Sequence, residues 1–218
     1  MTGKKPYQVE VTLNVPLDLV WRALTEPDLI RDWFGWDYEG LDAEIRYIFV
    51  ENCRRLPDHR LALENDEEIV LTPSGSGTVV RVISPGDLEG TGWDDLYDGM
   101  EEGWRTFFEQ LRFALERQEG ARRTIYLTGT AEPAEIRSRV QALGHERWHD
   151  SRFQHMVVDA RGHLVVAAAQ QPLDGAAGPA PVSVTVSAYG LDDAAFADLR
   201  KEWQSTWESL ARDTEVTP

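Results

Sequence analysis

Cysteine, positive charge and long apolar runs are all scarce in this chain of 218 residues. The single cysteine, Cys53, has no partner for a disulfide or a structural metal site, so we expect an inert, buried or half-exposed thiol in a reducing compartment. No apolar run approaches the roughly 20 residues that span a bilayer, and no charged segment followed by an apolar one stands near Met1. These absences predict a cytoplasmic protein that does not enter a membrane.

The shortage of positive charge also limits the partners. Only 22 Lys and Arg residues stand against 38 Asp and Glu residues, which gives a formal net charge of -16. Attraction to phosphate backbones or anionic lipids depends on clustered basic side chains, so we expect neither nucleic acid nor membrane as a partner. A GxGxxG fingerprint, a Walker A loop and a CxxC pair are absent from the sequence. Nucleotide-dependent and thiol redox reactions therefore have no motif here, and we predict no cofactor.

The first half of the chain changes from a strand-like to a helix-like period and back. Residues 7–15 alternate apolar and polar side chains, which predicts a half-buried strand with Tyr7 on its apolar face. Two short helices follow, and the next apolar segments predict an antiparallel meander of four strands, at residues 43–50, 59–64, 67–73 and 77–84. Residues 96–120 place an apolar stripe on a long helix closed by Gly120. Such a helix has to lie on an apolar surface.

The second half repeats this order in a shorter form. The patterns predict a strand, a helix, a hairpin, a further strand and a closing helix, at residues 124–129, 131–143, 153–169, 181–189 and 192–212. The two closing helices also share apolar residues at relative positions 0, 4 and 7, namely Trp104, Phe108, Leu111 and Trp203, Trp207, Leu210. Two interpretations fit: a diverged internal duplication with domains at 1–119 and 120–218, or one domain whose second half extends the first sheet.

Three segments of the first half together resemble a known family. They are VTLNVPLDLVWRALTEPDLIRDWFG, TPSGSGTVVRVIS and GWRTFFEQLRFALE. Across residues 7–118 the sequence resembles the SRPBCC, or START-like, superfamily, and within it the domain of the activator of the heat-shock-protein ATPase. The resemblance implies an α+β helix-grip fold, in which an antiparallel sheet wraps around a long C-terminal helix and leaves a cavity. It implies no catalytic motif, and the second half would be a smaller, related α+β unit.

Members of this superfamily typically bind hydrophobic small molecules or lipids, and some are cyclases, dehydratases or stress-related co-chaperones. The resemblance therefore directs attention to the side chains between the long helix and the sheet. We predict a ligand site formed by Trp104, Phe108 and Leu111 of the helix and by Tyr47, Phe49, Val80 and Val82 of the sheet, with Trp33 and Trp36 at its mouth. The same residues would equally serve as an ordinary core. Arg46 and Arg81 would face solvent on the opposite strand faces.

The segment GHERWHDSRFQH contains an HExxH pattern, at His145, Glu146 and His149, and a further histidine at His155. A metalloprotease needs this pattern on a helix, so that both imidazoles share one face. Gly144 terminates the preceding helical pattern, however, and the following residues alternate like a strand. We therefore interpret the segment as the connection between a helix and a hairpin, and we predict no metal site there. The acidic run around Trp93 reads as a solvated loop, with a divalent-cation site as the weaker alternative.

The sequence leaves three classes of function open. The leading hypothesis is a non-catalytic protein that binds a small hydrophobic or aromatic ligand in the helix-grip cavity. The alternative is a protein-interaction module of the co-chaperone type, in which the partner is another protein. An enzyme, either cyclase-like or a zinc hydrolase that uses the HERWH segment, is the third. The sequence singles out no catalytic residue, and it leaves the oligomeric state open.

Overall fold

The structure is a computed structural model, and it describes residues 5–86, 97–175 and 178–217. The protein is α+β, with two antiparallel sheets. Contacts divide the chain into two compact units, one formed by residues 1–35 and 39–118 and the other by residues 36–38 and 119–218. No helix in the described ranges is long and apolar enough to cross a membrane.

The first unit is a five-stranded sheet with helices before and after its meander. Its elements are β1 Tyr7–Leu13, α1 Leu17–Thr25, α2 Pro27–Ile30, α3 Leu41–Arg46, a π-helical turn Tyr47–Glu51, β2 Arg54–Leu56, β3 Arg60–Ala62, a 3-10 turn Glu64–Asp66, β4 Glu68–Ser74, β5 Gly77–Ser84 and α4 Gly99–Arg117. The strand order is β1-β5-β4-β3-β2, so the first strand lies beside the last.

Strand alternation fixes one buried face of this sheet, which we call the inner face. On β1 every second residue is buried, and the pairing of β1 with β5 sets Val9 opposite Val82 and Val11 opposite Val80. Both residues of β5 are completely buried, whereas Arg81 between them is partly exposed and pairs with Glu10. The predicted parity of β5 is therefore confirmed.

The long helix is also confirmed, with shorter bounds than the sequence suggested. Asp98 caps α4 by accepting hydrogen bonds from the backbone N–H groups of Met100 (2.8 Å) and Glu101 (3.1 Å). The helix packs against β1. The predicted first turn at Leu96 and the acidic run around Trp93 lie outside the described residues.

The prediction of a strand over residues 43–50 is wrong, because this segment forms α3 and the π-helical turn. Leu41, Ile45 and Phe49 are buried at a spacing of four residues, so the segment has one helical face. A short apolar run of this kind does not distinguish a strand from a helix by its period. Arg46 consequently lies on a helix, where it forms an exposed ion pair with Glu51 (2.8 Å).

The second unit has a six-stranded sheet. Its elements are β6 Arg122–Ala131, α5 Pro133–Leu143, β7 Gly144–Asp150, β8 Gln154–Asp159, β9 Leu164–Ala169, β10 Ala180–Tyr189, α6 Asp193–Leu210 and β11 Arg212–Thr217. The strand order is β11-β6-β10-β9-β8-β7. The sequence patterns did not predict β11, a polar strand that pairs with β6 across an irregularity in register.

One apolar cluster fills the interior of this second unit. It joins aliphatic residues of the sheet to the buried sides of both helices, chiefly Ile136 and Val140 of α5 and Phe196, Leu199, Trp203 and Trp207 of α6. The indole N–H of Trp207 donates to the backbone carbonyl of Thr128 at 2.9 Å, which satisfies the polar atom of this buried ring. The helices and the sheet of the second unit therefore share a closely packed core.

Candidate functional site

The interior of the first unit brings together most of the predicted ligand-site residues. Trp104, Phe108 and Leu111 lie on the buried side of α4, and none of them is more than 4% exposed. Val80 and Val82 form part of the inner face of the sheet. The periodic patterns of the helix and of β5 were sufficient to predict this set.

Aromatic rings from three parts of the first unit pack against one another, with centroids 4.6–6.5 Å apart. This aromatic cluster consists of Trp33, Phe34, Phe49, Trp104, Phe107 and Phe108. These pairs meet edge to face or tilted, and the edge-to-face arrangement is one that the ring quadrupoles favour. Trp33 is 1% exposed and its indole N–H donates to the backbone carbonyl of Ala23 at 2.9 Å, so it is an interior residue and not the rim residue that we predicted.

Two other predicted site residues lie elsewhere. Trp36 belongs to the second unit, where its ring stacks on Tyr126 at 3.9 Å between centroids and Asp37 accepts from the backbone N–H of Thr124 at 2.7 Å. Tyr47 is 48% exposed because the segment that carries it is helical, and its hydroxyl donates to Glu64 at 3.0 Å. Neither residue faces the interior of the first unit.

A buried carboxylate, which sequence analysis did not single out, interrupts this apolar interior. Glu67 accepts a hydrogen bond from the hydroxyl of Tyr7 at 2.7 Å and one from the indole N–H of Trp104 at 3.2 Å. Each of the three side chains is at most 6% exposed. Glu67 shares its parity with the buried Ile69 and with Leu71, so the alternation in EEIVLTP contained the signal that this carboxylate points inward.

The surroundings of Tyr7 make it a donor of hydrogen bonds and a poor acid. Burial of the phenol raises its pKa well above the usual value for tyrosine, and the hydrogen bond to Glu67 and the negative charge of Glu67 raise the pKa further. The hydroxyl therefore keeps its proton at any physiological pH. Each of the two oxygens of Glu67 accepts one of these hydrogen bonds.

The strand registers place a serine between these two residues. Tyr7 pairs with Ser84 across β1 and β5, and Glu68 pairs with Ile83 across β4 and β5, so Tyr7, Ser84 and Glu67 form a row on the inner face. Ser84 is 1% exposed, and its hydroxyl has no hydrogen-bond partner among the described residues. Leaving a buried hydroxyl unsatisfied costs about 1–3 kcal/mol, so such a group calls for an explanation. We refer to Tyr7, Glu67, Ser84 and Trp104 as the polar cluster.

The histidines of the HERWH segment do not have the geometry of a zinc hydrolase. Residues 144–150 lie outside the preceding helix, as we predicted, but they form the edge strand β7, which pairs with β8, and not the connection that we expected. His155 contacts Asp150 through Nδ1 at 3.2 Å. Within the part of the chain that the structure describes, no group of three or more His, Cys, Asp or Glu side chains could hold a metal ion. Burial raises the pKa of the half-buried Cys53, which makes its thiol less reactive.

A shallow groove of about 420 Å³ lies on the surface of the first unit. It lies between the α2 region and α3, and its lining combines three apolar residues with charged ones: Pro27, Ile45, Val50, Asp28, Arg31, Asp42 and Arg46. Val50 is 51% exposed and Tyr47, three residues before it, is 48% exposed. The helical segment therefore presents apolar side chains to solvent beside the groove.

Comparisons with known proteins show only distant likeness. No protein-family model matches the chain, and no curated protein does. Among solved structures, protein NE0264 from Nitrosomonas europaea is 23% identical, with a TM-score of 0.36 over 51% of this chain and 94% of that one. DynU16, from the dynemicin biosynthetic locus, is 16% identical, with a TM-score of 0.34 over 93% and 94% of the two chains.

A third similar structure is the di-domain ARO/CYC BexL from the BE-7585A biosynthetic pathway. It is 14% identical, with a TM-score of 0.38 over 94% of each chain. Scores this low do not establish a common fold.

Proposed function

We propose that the first unit is a helix-grip domain that binds a small, mainly aromatic ligand between α4 and the inner face of its sheet. The strand order, with β1 beside β5 at one edge of a meander, and the packing of α4 on β1 support this arrangement. The observation that carries the proposal is the buried hydroxyl of Ser84, which lies next to Glu67 in the row and has no hydrogen-bond partner in the described ranges of the chain. A ligand would supply the missing partner.

The composition of the interior supports an aromatic ligand in particular. Ring faces and edges recognise other rings through their quadrupoles, and the aromatic cluster offers both. Ligand sites typically combine apolar and aromatic walls with a few polar groups that fix the orientation of the ligand. The polar cluster would provide those polar groups. The raised pKa of Tyr7 keeps its hydroxyl protonated, so it orients Glu67 as a hydrogen-bond donor.

The proposal can be tested with N-phenyl-1-naphthylamine, a neutral aromatic probe whose fluorescence rises in an apolar site. We expect saturable binding to the full chain and a several-fold lower affinity for Trp104→Phe, which keeps an aromatic ring but removes the N–H that donates to Glu67. The matched control is Trp203→Phe in the core of the second unit, which should leave the affinity unchanged. Absence of saturable binding to the wild-type protein, or an equal response of the two variants, would overturn the proposal.

A second candidate function rests on the groove of about 420 Å³ and the exposed Tyr47 and Val50 beside it. Contiguous exposed apolar surface with a polar rim marks sites that contact another protein, and Tyr47 and Val50 lie beside the charged residues of the groove. This arrangement favours a co-chaperone-like role, in which the groove contacts a heat-shock ATPase. The ATPase rate of such a purified protein should change when the chain is added, and Val50→Glu should abolish the change. An unaltered rate would remove this candidate.

A further inference from the structure

We propose that the ligand of the first unit is a neutral aromatic alcohol, whose ring-bound hydroxyl is held between Ser84 Oγ and Glu67. The inference rests on the proposed ligand-binding function and adds the chemical class of the ligand. It follows from three properties of the polar cluster: the chemistry of its groups, the charge around it and the position of the aromatic rings.

Ser84 and Glu67, which are neighbours in the row, differ in the hydrogen bonds that they can make. A serine hydroxyl both donates and accepts, whereas a carboxylate only accepts. A ligand atom that bridges Ser84 and Glu67 therefore has to donate to the carboxylate while it remains able to accept from the serine. A hydroxyl group meets both requirements, and a carbonyl or an ether oxygen meets only the second.

The charges near the row disfavour an anionic ligand. Glu67 is buried in the row itself, and the charge of Asp98, the cap of α4, contributes to raising the pKa of Tyr7. Lys5 forms an ion pair with Glu101, with 2.6 Å between Nζ and Oε2. The carboxylate of an anionic ligand beside Glu67 would be repelled by the like charge, because a buried interior screens charges poorly.

Trp104 joins the polar cluster to the aromatic cluster and so fixes where the ring of the ligand lies. Its N–H donates to Glu67, while its ring contacts Phe49 at 6.5 Å and Phe108 at 5.4 Å between centroids. Aromatic surface therefore begins next to the carboxylate. A hydroxyl attached directly to an aromatic ring would place that ring against the aromatic cluster, whereas a hydroxyl at the end of a long aliphatic chain would place the chain there.

Three probes of one shape test the inference on the full chain: 2-naphthol, naphthalene and 2-naphthoate, compared by fluorescence titration at neutral pH. We expect 2-naphthol to bind about tenfold more tightly than naphthalene, since one hydrogen bond to a charged group is worth about that factor. We expect 2-naphthoate to bind most weakly. Ser84→Ala should remove most of the advantage of 2-naphthol and leave the affinity for naphthalene unchanged.

Ser187→Ala is the matched control, because Ser187 in the second unit is also completely buried with a hydroxyl that has no partner among the described residues. Neither alanine variant should lower the melting temperature, since each loses only an unsatisfied hydroxyl. Only Ser84→Ala should change the preference among the probes. Glu67→Gln provides a second test, because removal of the negative charge should raise the affinity for 2-naphthoate.

The outcomes separate the inference from the function on which it rests. If naphthalene and 2-naphthol bind equally well, or if 2-naphthoate binds best, the ligand site stands and the inferred ligand class is wrong. If none of the probes binds, the proposed function itself fails. A large loss of melting temperature in Ser84→Ala would show that the serine is structural and would also overturn the inference.

Discussion

In each unit the first strand lies beside the last strand of a four-stranded meander, β1 beside β5 and β6 beside β10. In each unit a long helix follows that last strand, α4 in the first and α6 in the second. The interiors differ. The first contains the polar cluster, with Glu67 bonded to side chains from β1 and α4, whereas the apolar cluster of the second joins α5 and α6 to its sheet.

The carboxylates that precede the third strand of each meander show the difference most clearly. Glu67 stands just before β4, and its partners Tyr7 and Trp104 are distant in sequence. In the second unit Asp159 ends β8, and it accepts from the backbone N–H groups of Arg161 (2.8 Å) and His163 (2.9 Å) in its own turn. One carboxylate links separate elements of the fold inside the protein, and the other stabilises a local turn.

We infer from this comparison that the second unit is a diverged repeat of the first. The common strand order and the matching closing helices support the inference. Two additions distinguish the second unit: β11 covers the outer side of β6, and a single helix, α5, replaces the helical segments between β1 and β2. We therefore expect changes in the second unit to alter stability and changes in the polar cluster to alter binding.

The largest expected effect is on stability, from Trp207→Ala in the second unit. Trp207 is 1% exposed, and removal of a buried tryptophan leaves a cavity that the core does not refill, so we expect a loss of about 3–5 kcal/mol in the free energy of unfolding. Urea unfolding measures this loss. The affinity of the folded variant for N-phenyl-1-naphthylamine should stay the same. A loss in the free energy of unfolding below about 1 kcal/mol, or a weaker affinity for the probe, would contradict the assignment of stability to the second unit and binding to the first.

Much of this contrast could be predicted from the sequence. Period-two alternation predicted β1 and β5, and the helical stripe through Trp104 and Phe108 predicted the buried side of α4, because both patterns are set by local geometry. The strand β11 was missed because its residues, RDTEVT, have few apolar side chains and so show no strand-like alternation. Its extended conformation depends on backbone pairing with β6.

The candidate site was less predictable than the fold. Tyr47 was assigned to it as part of a predicted strand and Trp36 as part of its mouth, but the segment of Tyr47 is helical and Trp36 belongs to the second unit. Glu67 and Ser84 were missed because polar residues near strand ends normally face solvent. The alternation in each strand indicates that both side chains point inward, but their position beside Tyr7 depends on the registers of three strands, which a single sequence does not contain.

A smaller effect is expected from Tyr7→Phe in the first unit. The substitution keeps the ring and removes one donor to the buried Glu67, so we expect the free energy of unfolding to fall by about 1–3 kcal/mol. Tyr47→Phe is the matched control, because that hydroxyl bonds to Glu64 in an exposed position. Urea unfolding should show almost no change for Tyr47→Phe. Equal losses in the two variants would mean that the polar cluster has no special role in the interior.

The smallest expected effect is from Asp159→Asn in the second unit. Burial by itself raises the pKa of Asp159, but the hydrogen bonds from His163 and from the backbone N–H groups outweigh burial, so the pKa lies below its usual value. The ionised carboxylate therefore stabilises the fold above the usual pKa of aspartate, about 4, and this contribution is lost as the pH falls through the lowered pKa.

Asparagine can still accept from the turn but carries no charge, so we expect a loss of about 1 kcal/mol at pH 7 and a shallower fall of stability in acid. Urea unfolding between pH 7 and pH 2 measures both, with Asp198→Asn on the exposed side of α6 as the control. The affinity for 2-naphthol should be unchanged at pH 7, since the turn lies in the unit without the polar cluster. A change in that affinity would show that the two units do not divide stability and binding between them.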